Sequence, residues 1–131
     1  MNRAIGSRYE SVLIELLSKN GWWCHLFAYK PEGQPCDVVA IRNNIGILLD
    51  VKHCSAKRFP FTDIRPNQKT CFSLAKQKGN KILGFAIFFE VEQTWRWLSY
   101  DKLVKMEEQG AKSVLNTDLP YLFEKNDETD N

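Results

Sequence analysis

Two aspartates, Asp37 and Asp50, stand in apolar stretches that flank Asn43 and Asn44. Asparagine tolerates positive φ, so the Asn-Asn pair predicts a tight turn between two antiparallel strands. With the turn centred there, the two aspartates are opposite each other, and opposed side chains share a face with Cβ atoms about 4.5–5.5 Å apart. Two carboxylates so close among apolar side chains repel each other unless a cation compensates them. The spacing therefore predicts a divalent-cation site, and Mg²⁺ suits it because this ion takes one or two carboxylates plus waters and phosphate.

Lys52 follows Asp50 by two residues, and side chains two apart on a strand share a face. A lysine at that place would orient or activate a water, or stabilise charge that develops on a phosphate. Two cation-binding carboxylates beside a lysine form a set suited to phosphodiester hydrolysis. The alternatives are that a bulge shifts the pairing by one residue, or that Asp37 is a turn residue while Asp50 and Lys52 form a surface pair.

A third carboxylate, Glu10, falls in a helix predicted over residues 3–19. Apolar residues recur there at helical spacing, at Ile5, Tyr9, Val12, Leu13, Leu16 and Leu17. At about 100° per residue, Glu10 lies at the margin of the buried face. We expect it to lean over the sheet and join the cation site, directly or through water. The alternative is a boundary residue that reaches solvent.

The elements that must position these residues form an αβββαββα order, an α/β fold with a mixed sheet and helices around it. Hydrophobic periodicity and Gly, Pro and Asn breakers set the predicted bounds. They predict a helix over 3–19, strands over 22–29, 37–42 and 46–52, a loop over 53–64, a helix from Pro66 to about Lys78, strands over 82–89 and 95–100, and a helix capped by Asp101 that runs through Gln109.

The 131-residue chain fits one domain, residues 1–125, followed by an acidic tail over 126–131 that we expect to be disordered. The net charge of +2 becomes more positive without the tail, which is compatible with a DNA-backbone partner. The four cysteines form no Cys-x-x-Cys pair and only two histidines occur, so neither a zinc site nor disulfides are expected. The absence of an apolar signal region and of a membrane-length apolar run predicts a cytosolic protein with no membrane partner.

The chain resembles the PD-(D/E)xK nuclease superfamily, whose core order is αβββαβ. The residues that carry this resemblance are Glu10, Pro35-x-Asp37 and Asp50-Val51-Lys52. A longer resemblance, over roughly residues 2–105, is to RecU-type Holliday-junction resolvases. It is carried by Asn2-Arg3, Phe59-Pro60-Phe61, Ile64-Arg65-Pro66-Asn67-Gln68 and the strand pair 82–100.

The resemblance implies a homodimeric, Mg²⁺-dependent endonuclease that cuts four-way DNA junctions in recombination and repair, with Mn²⁺ as a substitute metal. The implied metal ligands are Asp37, Asp50, the Val51 carbonyl and, in support, Glu10. Lys52 and Gln68 would complete the catalytic set, and Arg3 would contact a phosphate. Independently of the resemblance, a basic rim is a candidate for the DNA backbone; it comprises Lys57, Arg58 and Lys69, with Lys76, Lys78 and Lys81 beyond them.

Three departures from the RecU-type pattern leave the substrate open. That family carries a long stalk before the first catalytic aspartate, and the seven residues between Tyr29 and Asp37 leave no room for it. Cys36 stands where threonine is usual, and Asp50 replaces the commoner glutamate. The alternatives are a repair or restriction-type endonuclease on another DNA form, a non-catalytic DNA-binding module that keeps the fold, and a structural domain with accidental charges.

Overall fold

The computed structural model describes residues 3–27, 36–80 and 82–124, with the side chains of residues 3–7 excepted. Its helices are α1 (Arg3–Lys19), α2 (Pro66–Gln77) and α3 (Tyr100–Glu108). Its strands are β1 (Trp23–Leu26), β2 (Val38–Arg42), β3 (Ile45–Cys54), β4 (Arg58–Pro60), β5 (Leu83–Phe89), β6 (Thr94–Ser99) and β7 (Ser113–Leu115). The predicted αβββαββα order is confirmed, with the short strands β4 and β7 added to it. The proposed acidic tail lies outside the described residues.

Five strands form a mixed sheet in the order β1-β2-β3-β5-β6, and β4 pairs with β7 in a separate two-stranded sheet. Within the large sheet β3 and β5 are parallel, and the other neighbours are antiparallel. Parallel neighbours need a crossover connection, which here contains α2. The central position of β3 therefore follows from its place between a hairpin on one side and a crossover on the other.

A two-residue turn joins β2 to β3. Asn43 and Asn44 have φ of 51° and 67°, the positive values that the tight hairpin turn requires. Arg42 consequently pairs with Ile45, as the sequence predicted, and the ladder continues in that register to the end of β2. No bulge intervenes, so the residue types at the turn alone fix which side chains of the two strands share a face.

Side chains alternate between two faces of the sheet, and each face has its own apolar core. The α1 face carries the odd-numbered residues of β3 and packs against α1; the α2 face carries the even-numbered ones and packs against α2 and α3. Buried members of the α1-face core include Leu13, Leu17, Val38, Ala40, Leu49, Ala86 and Trp95. Those of the α2-face core include Phe59, Phe72, Phe85, Ile87, Phe89, Leu98 and Leu103. Within the described ranges, no helix has both the length and the apolar character needed to cross a bilayer.

Two local predictions were wrong. Ser99, not Asp101, caps α3, because the Ser99 hydroxyl accepts a hydrogen bond from the Lys102 amide at 3.1 Å. The stretch 53–64 is also not a simple loop: β3 extends to Cys54, and β4 follows after three residues. In both cases the deciding partner, a neighbouring strand or an earlier hydroxyl, lies outside the short window that the sequence pattern reads.

β5 and β6 approach each other closely at Gly84. A Cβ added at Gly84 would lie 2.5 Å from the Leu98 carbonyl oxygen and 2.8 Å from Cζ2 of Trp97. We expect Gly84→Ala to lower the free energy of unfolding in urea by about 1–3 kcal/mol, as overpacking does. Gly46→Ala is the matched control, because a Cβ there would meet no atom within 4 Å. Equal stability of the two variants would contradict the close approach.

Candidate active site

Asp37 lies immediately before β2 and is held by three hydrogen bonds. Its amide donates to the Leu49 carbonyl at 3.2 Å, and its carbonyl accepts from the Phe27 amide at 2.9 Å. Its carboxylate oxygen Oδ2 accepts from the Val51 amide at 2.8 Å. The Asp37 side chain therefore binds an amide of β3 just beyond the first residue of β2, where the pairing of the two backbones stops. This fixes the carboxylate of Asp37, which is only 8% exposed, at the edge of β3.

Asp50 lies on β3 beside Asp37 and has no exposed surface. Among the described residues, neither of its carboxylate oxygens has a partner in hydrogen-bonding geometry; the amide and carboxyl of Asp37 lie near without reaching it. Burial raises the pKa of Asp50 well above its usual range, and the charge of Asp37 raises that pKa further. The positive charge of Lys52 acts in the opposite direction. The structure thus brings the two predicted aspartates together, and their like charges repel each other as the sequence indicated.

Lys52 shares the α2 face with Asp50, two residues along β3. Its ammonium donates a hydrogen bond to Oε1 of Gln68 at 3.1 Å. The same oxygen accepts from the Arg65 amide at 3.0 Å, at the start of α2. Gln68 is buried, so its amide oxygen is a fixed acceptor tied to the helix end. The structure therefore joins Lys52 and Gln68, two residues of the predicted set that come from different elements.

Glu10 belongs to α1, the helix that packs against the other face of β3. It is buried, at 6% exposure, on α1, which packs against the α1 face. The neighbouring Tyr9 stacks on His53 of β3 with ring centroids 4.6 Å apart and planes within 9°. The burial excludes a side chain that simply reaches solvent. Participation of Glu10 in the metal site stays a prediction, because Asp50 and Lys52 project from the opposite face.

Cys36 and Cys71 are neighbours of the aspartates that the sequence did not connect with the site. Burial, and then the charge of Asp50, raise the pKa of the Cys36 thiol to about 12. Burial and the same charge also raise the pKa of Cys71. Both thiols therefore stay protonated at neutral pH and serve as small apolar neighbours. All four cysteines are free, as expected.

The donor set fits a hard divalent cation. Asp50 offers two buried oxygens to which no described residue donates a hydrogen bond, and Asp37 offers a second carboxylate beside it. Mg²⁺ commonly takes one or two carboxylates and completes its shell with water and substrate phosphate. No cluster of three or more His, Cys, Asp or Glu side chains able to hold a metal occurs in the part of the chain that the structure describes. The Val51 carbonyl as a ligand stays a prediction.

The predicted DNA contacts differ in their surroundings. Lys57 and Arg58 are exposed, and Nε of Arg58 donates to the Ser113 hydroxyl at 3.2 Å. The Lys69 ammonium forms an ion pair with Glu107 at 2.7 Å, so binding of a phosphate there would have to compete with a carboxylate. Lys76 likewise pairs with Asp101. The side chain of Arg3 lies outside the described residues.

Comparison with known proteins identifies the fold. No protein-family profile and no curated protein sequence matches the chain. Among solved structures, Hjc, a Holliday junction resolvase from the archaeal hyperthermophile Archaeoglobus fulgidus, is similar with a TM-score of 0.68 and 18% identity. The similarity covers 89% of this chain and 96% of that one. The bacterial homing endonuclease I-Ssp6803I is similar with a TM-score of 0.54 and 14% identity, over 92% and 75% of the chains. The chain therefore has a restriction-endonuclease-like nuclease fold.

Asp50 should reduce stability when it is ionised and no cation is present. Its pKa is raised in the folded state, so the native protein binds the proton more tightly than the unfolded chain does. Stability therefore falls as pH rises from the unfolded pKa, about 3.9, through the folded pKa. In EDTA we expect Asp50→Asn to unfold at higher urea concentration than wild type at pH 7, with a gain above about 1 kcal/mol that shrinks toward pH 4. Asp63→Asn, at an exposed aspartate, is the control. A gain that is independent of pH would contradict the buried charge.

Proposed function

We propose that this chain is a Mg²⁺-dependent, structure-selective DNA endonuclease that acts as a Holliday-junction resolvase in a homodimer. The observation that carries the proposal is the buried carboxylate of Asp50, which lies beside Asp37 and has no hydrogen-bond donor among the residues that the structure describes. Two buried carboxylates side by side do not stabilise a fold. A bound cation would explain the pair, because it would compensate the two negative charges. The nuclease fold, which the chain shares with two endonucleases, supports the assignment.

Asp37 and Asp50 would hold the cation, with the Asp37 carboxylate kept in position by the Val51 amide. When bound, a divalent ion at such a site polarises a phosphoryl oxygen and lowers the pKa of a coordinated water. The apolar surroundings of Asp50 exclude bulk water and strengthen each electrostatic interaction at the site. A bound cation would keep both carboxylates ionised, so they would act as ligands and not as general acids.

Lys52 would act on the phosphate directly. Its ammonium lies on the same face as Asp50, and Gln68 holds it there through a single hydrogen bond. A fixed cation is worth most where negative charge develops in the transition state, because no reorganisation is needed at the moment of reaction. Gln68 therefore acts as a positioning residue, since it contacts the ammonium and the Arg65 amide.

Junction cleavage and dimerisation are the finer parts of the proposal. Hjc is described as a Holliday junction resolvase, and its similarity spans nearly the whole of both chains. One described active site cuts one strand, so symmetrical cleavage of a junction needs two copies. The similarity to a homing endonuclease favours the second candidate, cleavage of linear duplex DNA. A non-catalytic DNA-binding module is the third candidate, and the presence of Asp37, Asp50 and Lys52 in one place argues against it.

The function is tested by cleavage of four matched labelled DNAs: a four-way junction, a Y-fork, a linear duplex and a single strand. We expect paired symmetrical nicks in the junction with Mg²⁺, and no nicks in EDTA or with Asp50→Asn. Metal-dependent cutting of the duplex instead would keep the active site and reject the junction. No cutting of any DNA, with equal DNA affinity of wild type and Asp50→Asn, would favour the non-catalytic module.

Metal binding is tested apart from activity by thermal unfolding with and without Mg²⁺. A ligand that binds the native state at a hundred times its Kd stabilises it by about 2.7 kcal/mol. Mg²⁺ should therefore raise the Tm of wild type and of Lys52→Met, but not that of Asp50→Asn. Lys52→Met should also lose cleavage, which would separate the lysine from metal binding. An equal rise in Tm for all three proteins would place the metal elsewhere.

Gln68→Ala tests how the lysine is positioned. Loss of the acceptor frees the Lys52 ammonium, so kcat should fall by roughly 10- to 100-fold while KM for DNA changes less. Gln68→Glu keeps an acceptor oxygen and should restore much of kcat. Gln77→Ala, at an exposed residue at the end of the same helix, is the control. A loss confined to stability, with kcat of the folded protein unchanged, would limit Gln68 to capping α2.

A further inference from the structure

Exposed aromatic side chains form a row along the edge strand β1. Trp23 is 60% exposed, and His25 is also exposed. The alternate residues of the strand, Cys24 and Leu26, are partly buried and pack against the α1-face core. The strand thus turns its aromatic residues away from α1. Trp23 and its cross-strand partner Ile41 together form an exposed apolar patch on the sheet, and such patches mark surfaces that contact another molecule.

Neighbouring rings in this row have defined orientations: the first two are nearly parallel, and the third is nearly perpendicular to the second. The planes of Trp23 and His25 lie within 11° of each other, with centroids 6.3 Å apart. Phe27 follows edge-on to His25, with an interplanar angle of 87° and centroids 5.5 Å apart. The Phe27 amide donates to the carbonyl of Asp37, a proposed metal ligand. Two flat, nearly parallel rings therefore precede a perpendicular one beside the active site.

The row lies on the face of the sheet that carries the catalytic side chains. Trp23 pairs with Ile41, and Ile41 pairs with Gly46. Opposed residues in antiparallel strands share a face, so the face continues from Trp23 to the even-numbered residues of β3, which include Asp50 and Lys52. From Trp23 to Phe27 the strand rises about 13 Å. The same surface therefore connects the exposed rings to the proposed site of cleavage.

The charge of this surface suits a polyanion. The strands β1 and β2 and the first half of β3, Ile45–Leu49, contain no aspartate or glutamate. The helices α2 and α3 pack mainly against β5 and β6, and Trp23 and His25 stay exposed on this side of the sheet. Ile41, directly opposite Trp23, is 44% exposed. Within these strand segments, an anionic partner with flat apolar faces meets no carboxylate before Asp37 and Asp50 of the proposed site.

We propose that the exposed rings of Trp23 and His25, which share a face with Asp50 and Lys52 and are followed by the half-buried Phe27, form a stacking platform for unpaired nucleobases. This rests on the proposed nuclease function and narrows its substrate to DNA with a single-stranded or unstacked segment next to the cleavage site. Aromatic side chains stack on any base, because every base has a π-face.

The test compares the affinity of the full chain for a Y-fork with single-stranded arms and for a blunt duplex of equal length. Binding is measured by fluorescence anisotropy in EDTA, which prevents cleavage. Trp23→Ala should reduce the preference for the fork over the duplex by about tenfold, as loss of one stacked base does. His25→Ala should reduce it less, and Trp23→Phe should retain most of it. Ile45→Ala is the matched control, because Ile45 is 45% exposed on the α1 face of the same sheet. Circular dichroism checks that each variant is folded.

The outcomes separate this proposal from the nuclease function. If wild type cuts DNA in an Asp50-dependent way while Trp23→Ala keeps the full fork preference, the stacking platform is wrong and the nuclease stands. If wild type neither binds nor cuts any of the DNAs, both proposals fall. A Trp23→Ala variant that halves the molecular mass in solution and weakens fork and duplex binding equally would also overturn the platform, and would mark this face as an interface between two copies of the chain.

Discussion

The burial of the Asp50 carboxylate beside Asp37 is the constraint on which the site depends. Neither Asp50 oxygen has a hydrogen-bond donor in the described residues, and the pKa is raised well above its usual range by burial and then by the neighbouring charge. A carboxylate in that setting lowers the stability of the fold unless a cation is bound. The remaining features of the site position charges and dipoles around this one unfavourable group.

The two carboxylates meet where the pairing of β2 with β3 stops, at the first residue of β2. The β2–β3 ladder stops at Val38 and Leu49, and the Asp37 carboxylate accepts from the Val51 amide beyond it. A side chain thus satisfies a backbone donor that a longer strand would have satisfied. β3 continues to Cys54, beyond its last pairing with β2 at Leu49. Asp50 and Lys52 therefore lie on a part of β3 that does not pair with β2.

The lysine depends on an element that is distant in the chain. Lys52 comes from β3 and its acceptor, Gln68, from the first turn of α2. The Arg65 amide donates to the same oxygen, so the start of the helix and the position of the ammonium are coupled. The helix therefore serves as the crossover that makes β3 and β5 parallel, and it also supplies the group that holds a catalytic charge.

The sequence by itself determined the order of the helices and the main strands and the hairpin register, because these follow from local periodicity and from the positive φ that Asn43 and Asn44 tolerate. That register predicted the pairing of the two aspartates. Only the tertiary structure decided which face of β3 each helix covers, and so placed α1, the helix that carries Glu10, on the face opposite Asp50. The tertiary structure also decided the hydrogen bond from Lys52 to Gln68 and the hydrogen bonds that the Val51 and Arg65 amides donate at the site. Backbone donors carry no residue-type signal, and packing between distant elements sets their partners.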